Sequence, residues 1–484
     1  MKAQIPLPSV SGLLSGLALG ALALTAWAGC PRAEIVLMNQ DGLELDGTFQ
    51  GAFATVNSVN PGFGAGIVNA AGQRHAGAIH GLEAYVEPGL AGQYNAGDFS
   101  LYGGISAIGA ATMGSGDASF PANATGGHPD AFRLENFYVG VKSGDLLPDL
   151  PKDALDLSVG RQTFQIGDGF LIADGDADGG KKAAYWLAPR TAFAQTAIAK
   201  IETGTPLRAD LFVLGNDSSQ NDDLAVAQPA RTELYGINLE WNDTSKAKDG
   251  SQQKNWTIGG AFLHLYDADI TIAPTRDGMN VYDLRASGSF IQALPDLRLA
   301  GELVHEDNDE AGRALDANAW YLEPGWKFAS LPWAPQISYR YAHFSGSPGD
   351  NKSGDYDPLF YGSAAGYGTW YMGEIVGQYY LFNSNDDVQM LHIGFQPTDT
   401  IDFGLLAYHF RFAALPAGVT SKDAFNEADL YGDYSPLSWL TFTGALGAAK
   451  AQSGGRQFIA AESGTANASN RTSYLFELGA TIKF

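Results

Sequence analysis

The strongest constraint on the fold is the way hydrophobicity alternates along the chain. Segments of about ten residues, each alternating between apolar and polar side chains, are separated by clusters of Gly, Asp, Asn and Pro. In residues 474–484 every even position is apolar, whereas the odd positions include Glu477, Thr481 and Lys483. Successive side chains of a β-strand point to opposite faces, so this strand has one apolar and one polar face. A long series of such strands predicts a membrane β-barrel.

Other segments repeat this pattern with charged residues on one face. A charge at the membrane midplane costs about 2–4 kcal/mol, so this face must line the barrel interior. The composition agrees, because 60 of 484 residues are Gly and only 17% are charged, which is unusual for a soluble enzyme of this size. The phenylalanine at position 484, at the end of the last alternating strand, resembles the C-terminal signal of bacterial outer-membrane barrels.

About nineteen candidate strands are present, and bacterial single-chain barrels have an even number. We therefore predict an all-β fold, a transmembrane antiparallel β-barrel of about eighteen strands, in one domain over residues 34–484. Short connections predict periplasmic turns at residues 203–206, 293–296, 330–333 and 435–438. Longer polar stretches predict external or lumen-folded loops at residues 57–75, 114–129, 167–190, 216–230, 346–369 and 452–471.

The N-terminus has the layout of a secretory signal peptide. Lys2 precedes an apolar stretch over residues 13–24, which is too short for a comfortable transmembrane helix, and small residues follow. We expect residues 1–28 to be removed, with a weaker cleavage site as late as residue 33. Cys30 is the only cysteine, so the chain forms no internal disulfide, and lipid attachment at Cys30 is an open alternative.

The formal net charge of −24 makes nucleic acid an improbable partner. An acidic excess is typical of a solvated surface, and on external loops divalent cations bridge it to anionic lipid. The expected partners are membrane lipid and lipopolysaccharide, a polar or anionic carbohydrate solute, and periplasmic export or assembly proteins.

The candidate site consists of charges predicted to face the lumen, where opposite charges create a transverse field that orients polar solutes. At Arg161, strict alternation would send the side chain into lipid, but a bulge at Gly160 would re-aim it inward; a rim position is the alternative. Five arginines would attract anionic groups, and three acids would hold them by pairing. The predicted pore-lining residues are Arg161, Arg285, Arg298, Arg340, Arg411, Glu302, Glu374 and Asp429.

The sequence predicts neither a cofactor nor a metal site. The eight histidines are scattered singly, without zinc spacing. Asp174, Asp176 and Asp178 resemble half of a calcium loop, but Tyr185 stands where a bidentate carboxylate is required, so an acidic loop is the preferred interpretation. No G-x-S-x-G motif is present, and no enzyme activity is predicted. Aromatic residues near strand ends are typical of interfacial girdles, with a sugar-stacking path through Tyr138, Tyr380 and Tyr431 as the alternative.

Several segments resemble the bacterial alginate-export porin family. The resemblance covers most of residues 130–484 and is densest over residues 357–434; its motifs lie at residues 160–162, 179–186, 357–362, 366–385 and 418–423. It implies an eighteen-stranded outer-membrane barrel that passes a polysaccharide or smaller polar solutes. In the best-known members an arginine-rich constriction selects an anionic uronate polymer, whereas inward acids here nearly equal inward bases. The positions carried over from the family are Arg161, Glu374 and Asp423.

The leading functional hypothesis is an outer-membrane channel of alginate-export type that passes polar or anionic carbohydrate through an aqueous lumen. A general uptake porin for small nutrients is the alternative, and a barrel enzyme or adhesin is a third hypothesis from another class.

Overall fold

The computed structural model describes residues 35–68, 74–114, 128–176, 182–216, 232–246, 252–269, 273–310, 312–349, 353–362, 366–370, 372–463 and 470–484. The predicted signal peptide and Cys30 lie outside these residues, as does Asp178 of the calcium-like segment. Nearly all regular structure is β-strand. The strands are β1 Ile35–Gln40, β2 Leu43–Val59, β3 Ile67–Val68, β4 Arg74–His75, β5 Ile79–Asn95, β6 Ser100–Gly114, β7 Asp130–Lys142, β8 Leu155–Gln162, β9 Phe193–Glu202, β10 Leu207–Gly215, β11 Thr232–Lys246, β12 Gln252–Ala268, β13 Asn280–Gly288, β14 Leu297–Asn308, β15 Leu315–Lys327, β16 Gln336–Phe344, β17 Asp386–Thr398, β18 Ile401–Phe412, β19 Asp423–Leu437, β20 Leu440–Ala451 and β21 Thr472–Lys483.

The large sheet closes on itself. It contains nineteen strands, each antiparallel to its neighbour, and β2 pairs with β21 from Val59–Tyr474 to Gln50–Lys483. Phe49 and Phe484 exchange backbone hydrogen bonds at the end of this seam, with N···O distances of 3.3 and 2.8 Å. The short strand β1 pairs only with the part of β2 that lies beyond the seam. The remaining eighteen strands form the barrel, which confirms the predicted fold and strand number.

The two faces of each strand differ as the alternation predicts. On β13, Leu284 is 60% exposed on the outside, whereas its neighbours Asp283 and Arg285 are buried inside. On β19, Leu430 faces outward between the buried residues Asp429 and Tyr431. Because apolar side chains cover the outer wall, this surface is suited to lipid. Among the described residues, no helix is long and apolar enough to cross a bilayer.

The two ends of the barrel differ. At one end short turns join the strands, for example residues 203–206 and 399–400, and Phe484 lies at this short-turn end. At the opposite end the connections are longer and carry helical segments: a 3₁₀ turn at Pro61–Gly64, a π-helix at Gly373–Leu381 and α1 at Ser453–Ser463.

Two of the long connections fold into the barrel. We call the described residues within 163–192 inner loop 1 and those within 345–385 inner loop 2. They pair with each other, because the backbone N–H of Phe360 donates to Leu171 O at 3.0 Å and that of Ala173 donates to Phe360 O at 2.8 Å. Their aromatic side chains pack together, with Phe170 and Trp370 edge to face at 4.5 Å. The predicted interior is therefore partly filled with an apolar core rather than with water alone.

Candidate functional site

A cavity of about 790 Å³ lies inside the barrel at the short-turn end. Its wall consists of inward residues from β10 to β17, including the first residues of several strands after the short turns. Gly167 and Asp168 of inner loop 1 and Gly368 and Thr369 of inner loop 2 bound it on the other side. The cavity is thus a vestibule between the short-turn end and the inner loops. Its charged lining residues are Asp168, Arg208, Asp210, Glu240, Lys254, Arg285, Arg298, Glu302, Glu323, Lys327 and Arg340.

Arg285 is held rigidly in the vestibule wall. Its guanidinium forms ion pairs with Asp283 and, at 2.9 Å, with Glu240, and it also donates to Asn238. Glu302 is the cross-strand neighbour of Arg285 on β14 and is buried beside it. Charge-assisted hydrogen bonds of this kind fix a side chain in one orientation. Arg285 therefore presents a charge of fixed position.

Arg340 connects the wall to inner loop 2. Its Nε and Nη2 donate to Glu323 Oε2 at 2.9 and 2.7 Å, and its Nη1 donates to the carbonyl oxygens of Gly368 and Thr369 at 2.7 and 2.9 Å. The guanidinium also lies over the ring of Trp370, 4.4 Å from its centre. Arg340 is nearly fully buried, so it is primarily a brace for the loop.

Three further cations of the vestibule are exposed. Lys254, Arg298 and Lys327 lie near the short-turn ends of β12, β14 and β15. None of the three forms an ion pair with another described residue, whereas Arg208 pairs with Asp210 at 3.0 Å. The mouth of the vestibule therefore carries three cations that form no direct ion pair with the described residues.

Carboxylates of the wall hold the inner loops by their backbone. Glu83 of β5 accepts the N–H groups of Trp186 and Leu187 at 3.2 and 2.9 Å. Glu427 of β19 accepts those of Ile375 and Val376, both at 2.7 Å. Buried backbone N–H groups need partners, and a carboxylate with two such bonds supplies them.

Glu135 of β7 makes the same kind of contact, accepting the N–H groups of Thr191 and Ala192 at 3.0 and 2.9 Å. Its neighbour Arg161 donates from Nε to the Glu135 backbone oxygen at 2.9 Å and pairs with its carboxylate at 3.7 Å. The ladder between β8 and β9 shifts between Gly160 and Gln162, so the predicted bulge is present and Arg161 is buried inside. It lies in the wall and does not line the vestibule.

The other predicted site residues lie in three places: the vestibule, the region of the π-helix and the outward face of β18. Arg285, Arg298, Arg340 and Glu302 line the vestibule together. Glu374 and Asp429 lie together elsewhere, beside the π-helix, where the N–H of Glu374 donates to Asp429 Oδ2 at 3.3 Å. Among the described residues, neither Glu374 nor Asp429 forms an ion pair with an arginine, and the ion-pair partners of Arg285 are Asp283 and Glu240 rather than Glu302. The prediction of arginine partners for Glu374 and Asp429 is wrong, because their neighbours are the inner loop and other carboxylates.

Arg411 requires a correction. It shares the outward face of β18 with Leu405 and is exposed, whereas Tyr408, Phe410 and Phe412 point inward and are buried. The polar face is outside here because the inward face packs on the apolar core of the inner loops. A position near the long-loop rim leaves the Arg411 charge in the polar interface rather than in the hydrocarbon layer.

Two contacts that join the inner loops to the wall were not predicted. Asp168 accepts from Tyr321 Oη at 2.8 Å and from Trp370 Nε1 at 3.1 Å. Arg276 donates from Nε and Nη2 to the two oxygens of Asp357 at 2.7 and 2.6 Å. The only sequence signal for either was the Asp357 motif. Both contacts join residues far apart in the chain, which alternation within a strand does not reveal.

The calcium-like segment is an ion-pair cluster in the structure. Asp176 pairs with Lys182 at 3.3 Å and with Arg190 at 2.9 Å, and all three side chains are buried. Among the described residues, no group of three His, Cys, Asp or Glu side chains is arranged to hold a metal ion.

These features define a class: a large closed barrel with a lipid-suited outer wall, an internal vestibule and loops folded into the lumen is an outer-membrane channel. The family model described as "Alginate export" matches residues 115–435. The chain belongs to the alginate export family, which confirms the predicted family, the channel function and the location in the bacterial outer membrane. Since turns of such barrels lie in the periplasm, the short-turn end is periplasmic.

The similar solved structures are also porins. OccAB1 of Acinetobacter baumannii is 9% identical, with 91% of this chain and 96% of that chain covered and a TM-score of 0.53. A BenF-like porin of Pseudomonas fluorescens Pf-5 is 11% identical, with 91% and 98% covered and a TM-score of 0.53. OccK5 (OpdH) of Pseudomonas aeruginosa is 9% identical, with 91% and 98% covered and a TM-score of 0.52. At these identities they establish the fold alone. No protein with a curated function matches the sequence.

Proposed function

We propose that this channel exports an anionic carbohydrate of the uronate type, which enters the vestibule from the periplasm. The observation that carries the proposal is the set of three exposed cations, Lys254, Arg298 and Lys327, at the periplasmic mouth of the vestibule. Anionic sugar groups are attracted to a mouth that carries exposed cations without direct ion-pair partners among the described residues, and low-dielectric walls concentrate that attraction. The family is described as "Alginate export", which indicates the same direction of transport and the same class of cargo.

Deeper in the vestibule the cations are paired. Arg285 and Arg340 are surrounded by Glu240, Asp283 and Glu323, which hold their side chains in place. We propose that Arg285, with Glu302 beside it, lines the path of the sugar and orients it through the transverse field of opposite charges. Arg161, Glu374 and Asp429 act at a distance from the sugar by shaping the inner loops and the wall.

The outer rim is the proposed contact with the membrane. Arg411 and His409 face outward near the long-loop end of β18, and the ring of His409 hydrogen-bonds to Asn426 at 2.6 Å. Polar and cationic side chains at this height suit the phosphate-bearing headgroups of lipopolysaccharide.

The proposal is tested by single-channel recording of the refolded protein in a planar bilayer. Uronate oligomers added to the periplasmic side should block the ionic current, and the reversal potential in a salt gradient should show preference for anions. The double variant Arg298→Glu/Lys327→Glu should abolish the block and shift the reversal potential toward cations. Because exposed charges are screened within about 10 Å at 0.1 M salt, the block should weaken as ionic strength rises.

Arg411→Glu is the control, since it makes the same kind of Arg-to-Glu reversal at one position on the outward face of the wall. This variant should retain both the block and the anion preference. Open channels that uronate oligomers do not block would contradict the cargo, and block that survives in the double variant would contradict the assigned mouth.

A further inference from the structure

The first turn of the π-helix rests on acidic side chains of the barrel wall. Glu427 accepts the N–H groups of Ile375 and Val376, and Asp429 accepts that of Glu374. The first N–H groups of a helix have no partner within the helix and favour a negative charge nearby. Glu427 therefore holds the first turn of the helix through both of its carboxylate oxygens.

Two more carboxylates complete the group. Glu374 belongs to the π-helix itself, and Glu477 points inward from β21. Glu477 is 0% exposed, and neither of its carboxylate oxygens is hydrogen-bonded to a described residue. The buried Oδ1 of Asp429 also lacks a hydrogen-bond partner among the described residues. We call Glu374, Glu427, Asp429 and Glu477 the acid cluster.

Among the described residues, no cation compensates the acid cluster. The groups that face it from other elements are Tyr408 of β18, Tyr367 of inner loop 2, Trp186 of inner loop 1 and Asp433 of β19. Within the part of the chain that the structure describes, none of the four acids forms an ion pair with Lys or Arg, and no three of them are arranged to hold a metal ion.

Burying four unpaired charges together would cost more free energy than the docking of one loop can offset. The acids must therefore share protons while the helix is docked. Burial raises the pKa of Glu374 to about 7. Glu477 is fully buried beside Glu374 and Asp429, and the neighbouring negative charges favour its neutral form.

We propose that the π-helix Gly373–Leu381 is a proton-dependent gate of the channel. It stays docked while the acid cluster holds its shared protons, and it leaves the wall when these are lost. Because the docked state binds protons more tightly than the undocked state, docking is strongest at low pH and weakens as pH rises through neutrality. Each proton released on undocking changes the ratio of undocked to docked channels by about tenfold per pH unit.

The position of the helix connects it to the vestibule. Tyr367, Gly368 and Thr369, which bound the cavity, immediately precede the helix in inner loop 2. Movement of the helix away from β19 and β21 would draw this segment with it, since only three residues lie between Thr369 and Gly373. Loss of protons would therefore widen the passage between the vestibule and the external end.

The test is the conductance of the refolded full chain in KCl between pH 5 and pH 9, with EDTA and without any sugar. The open probability should increase at least tenfold between pH 6 and pH 8. Amide hydrogen exchange of Ile375 and Val376, corrected for the intrinsic effect of pH, should accelerate over the same range. Glu477→Gln, which keeps the shape and stays neutral, should hold the channel in its low-pH state at pH 8.

Asp309→Asn, which neutralises an exposed acid on an external loop, is the matched control and should keep the wild-type pH dependence. If Glu477→Gln folds poorly, Glu374→Gln tests the same gate from the helix side. Conductance that does not change from pH 5 to pH 9, or pH dependence that persists in both variants, would overturn the gate. So would a channel that responds to millimolar Ca²⁺ instead of pH. Since no uronate is present, these outcomes leave the cargo proposal to its own experiment.

Discussion

The guanidinium of Arg340 is placed between Glu323 on the neighbouring strand and the ring of Trp370, with its centre 4.4 Å from the ring centre. One side chain thus connects the barrel wall to inner loop 2. The charge of Arg340, which the alternating pattern predicted to face the lumen, positions a loop. The wall carboxylates that accept N–H groups of the inner loops position loops in the same way. Inward charge in this channel supports the inner loops as well as the solute path.

Replacing Arg340 with Met should release the segment Gly368–Trp370 while leaving the barrel folded. The change removes four hydrogen bonds and leaves Glu323 without its cation, which should weaken docking of inner loop 2 by about 3 kcal/mol. Single-channel records should show a several-fold increase in current fluctuations, with the thermal melting of β-structure by circular dichroism unchanged. Arg298→Met, at an exposed and unpaired position, is the control; equal fluctuations in both variants would argue against the brace.

The bidentate pair of Arg276 and Asp357 should hold inner loop 2 at the external end. Asp357→Asn removes the carboxylate of this bidentate pair from a buried guanidinium, for which the expected cost is about 3–5 kcal/mol of docking. Proteinase K should then cleave within residues 345–385 at least tenfold faster. The apolar double variant Arg276→Met/Asp357→Leu should recover part of the resistance, and Asp316→Asn should have no effect. Unchanged cleavage of Asp357→Asn would show that other contacts suffice.

The bulge at Gly160 should not tolerate a side chain. Its φ of +127° lies where residues with a Cβ are strained, and a Cβ would press against the backbone oxygen of Phe137. We expect Gly160→Ala to lower the free energy of unfolding by about 1–3 kcal/mol, measured by urea titration in lipid vesicles. Gly109→Ala on β6, where a Cβ would meet Phe132 at an ordinary 3.5 Å, is the matched control and should be nearly neutral. Similar losses in both would contradict a special requirement at the bulge.

Phe484 should stabilise the short-turn end of the seam through its ring. It stacks on Trp439 at 5.3 Å and lies 6.5 Å from Phe49. Phe484→Ala keeps both backbone bonds to Phe49 but loses the two ring contacts, about 1–3 kcal/mol together. The folded band on SDS gels should convert to the unfolded band at a lower temperature. Phe328→Ala, at another short turn, should change this temperature less; an equal change would show that no contact of Phe484 is particular to the seam.

The sequence predicted the barrel and most strand faces because each depends on neighbours within one strand. Asp283 and Arg285 alternate with Tyr282 and Leu284. Because charged side chains avoid lipid, the pair Tyr282 and Leu284 points outward. The rule failed at Arg411, where the inward positions Phe410 and Phe412 are also apolar since they pack on the inner loops. Alternation shows that two faces differ, but it does not show which face is inside when both surroundings are apolar.

The functional site was only partly predictable for a related reason. Arg285, Arg298, Arg340 and Glu302 were placed correctly in the lumen, because their strands obey the alternation. The partners were not predictable. Glu323 reaches Arg340 from the neighbouring strand, Asp168 reaches Trp370 through the folding of the inner loops, and the acid cluster collects residues from three separate strand and loop segments. Such encounters depend on strand register around the whole barrel, which one strand does not encode.

The seam between β2 and β21 has a consequence for how the chain is made. Val59 pairs with Tyr474, so the contact that completes the wall joins residues separated by almost the entire chain. The conformational search for so distant a partner is slow, and until it ends both strands present unpaired edges that invite aggregation. During biogenesis, closure of the barrel by pairing of the two free edges thus competes with aggregation, in which either edge pairs with a neighbouring chain. A factor that shields β2 until β21 arrives would decide the yield.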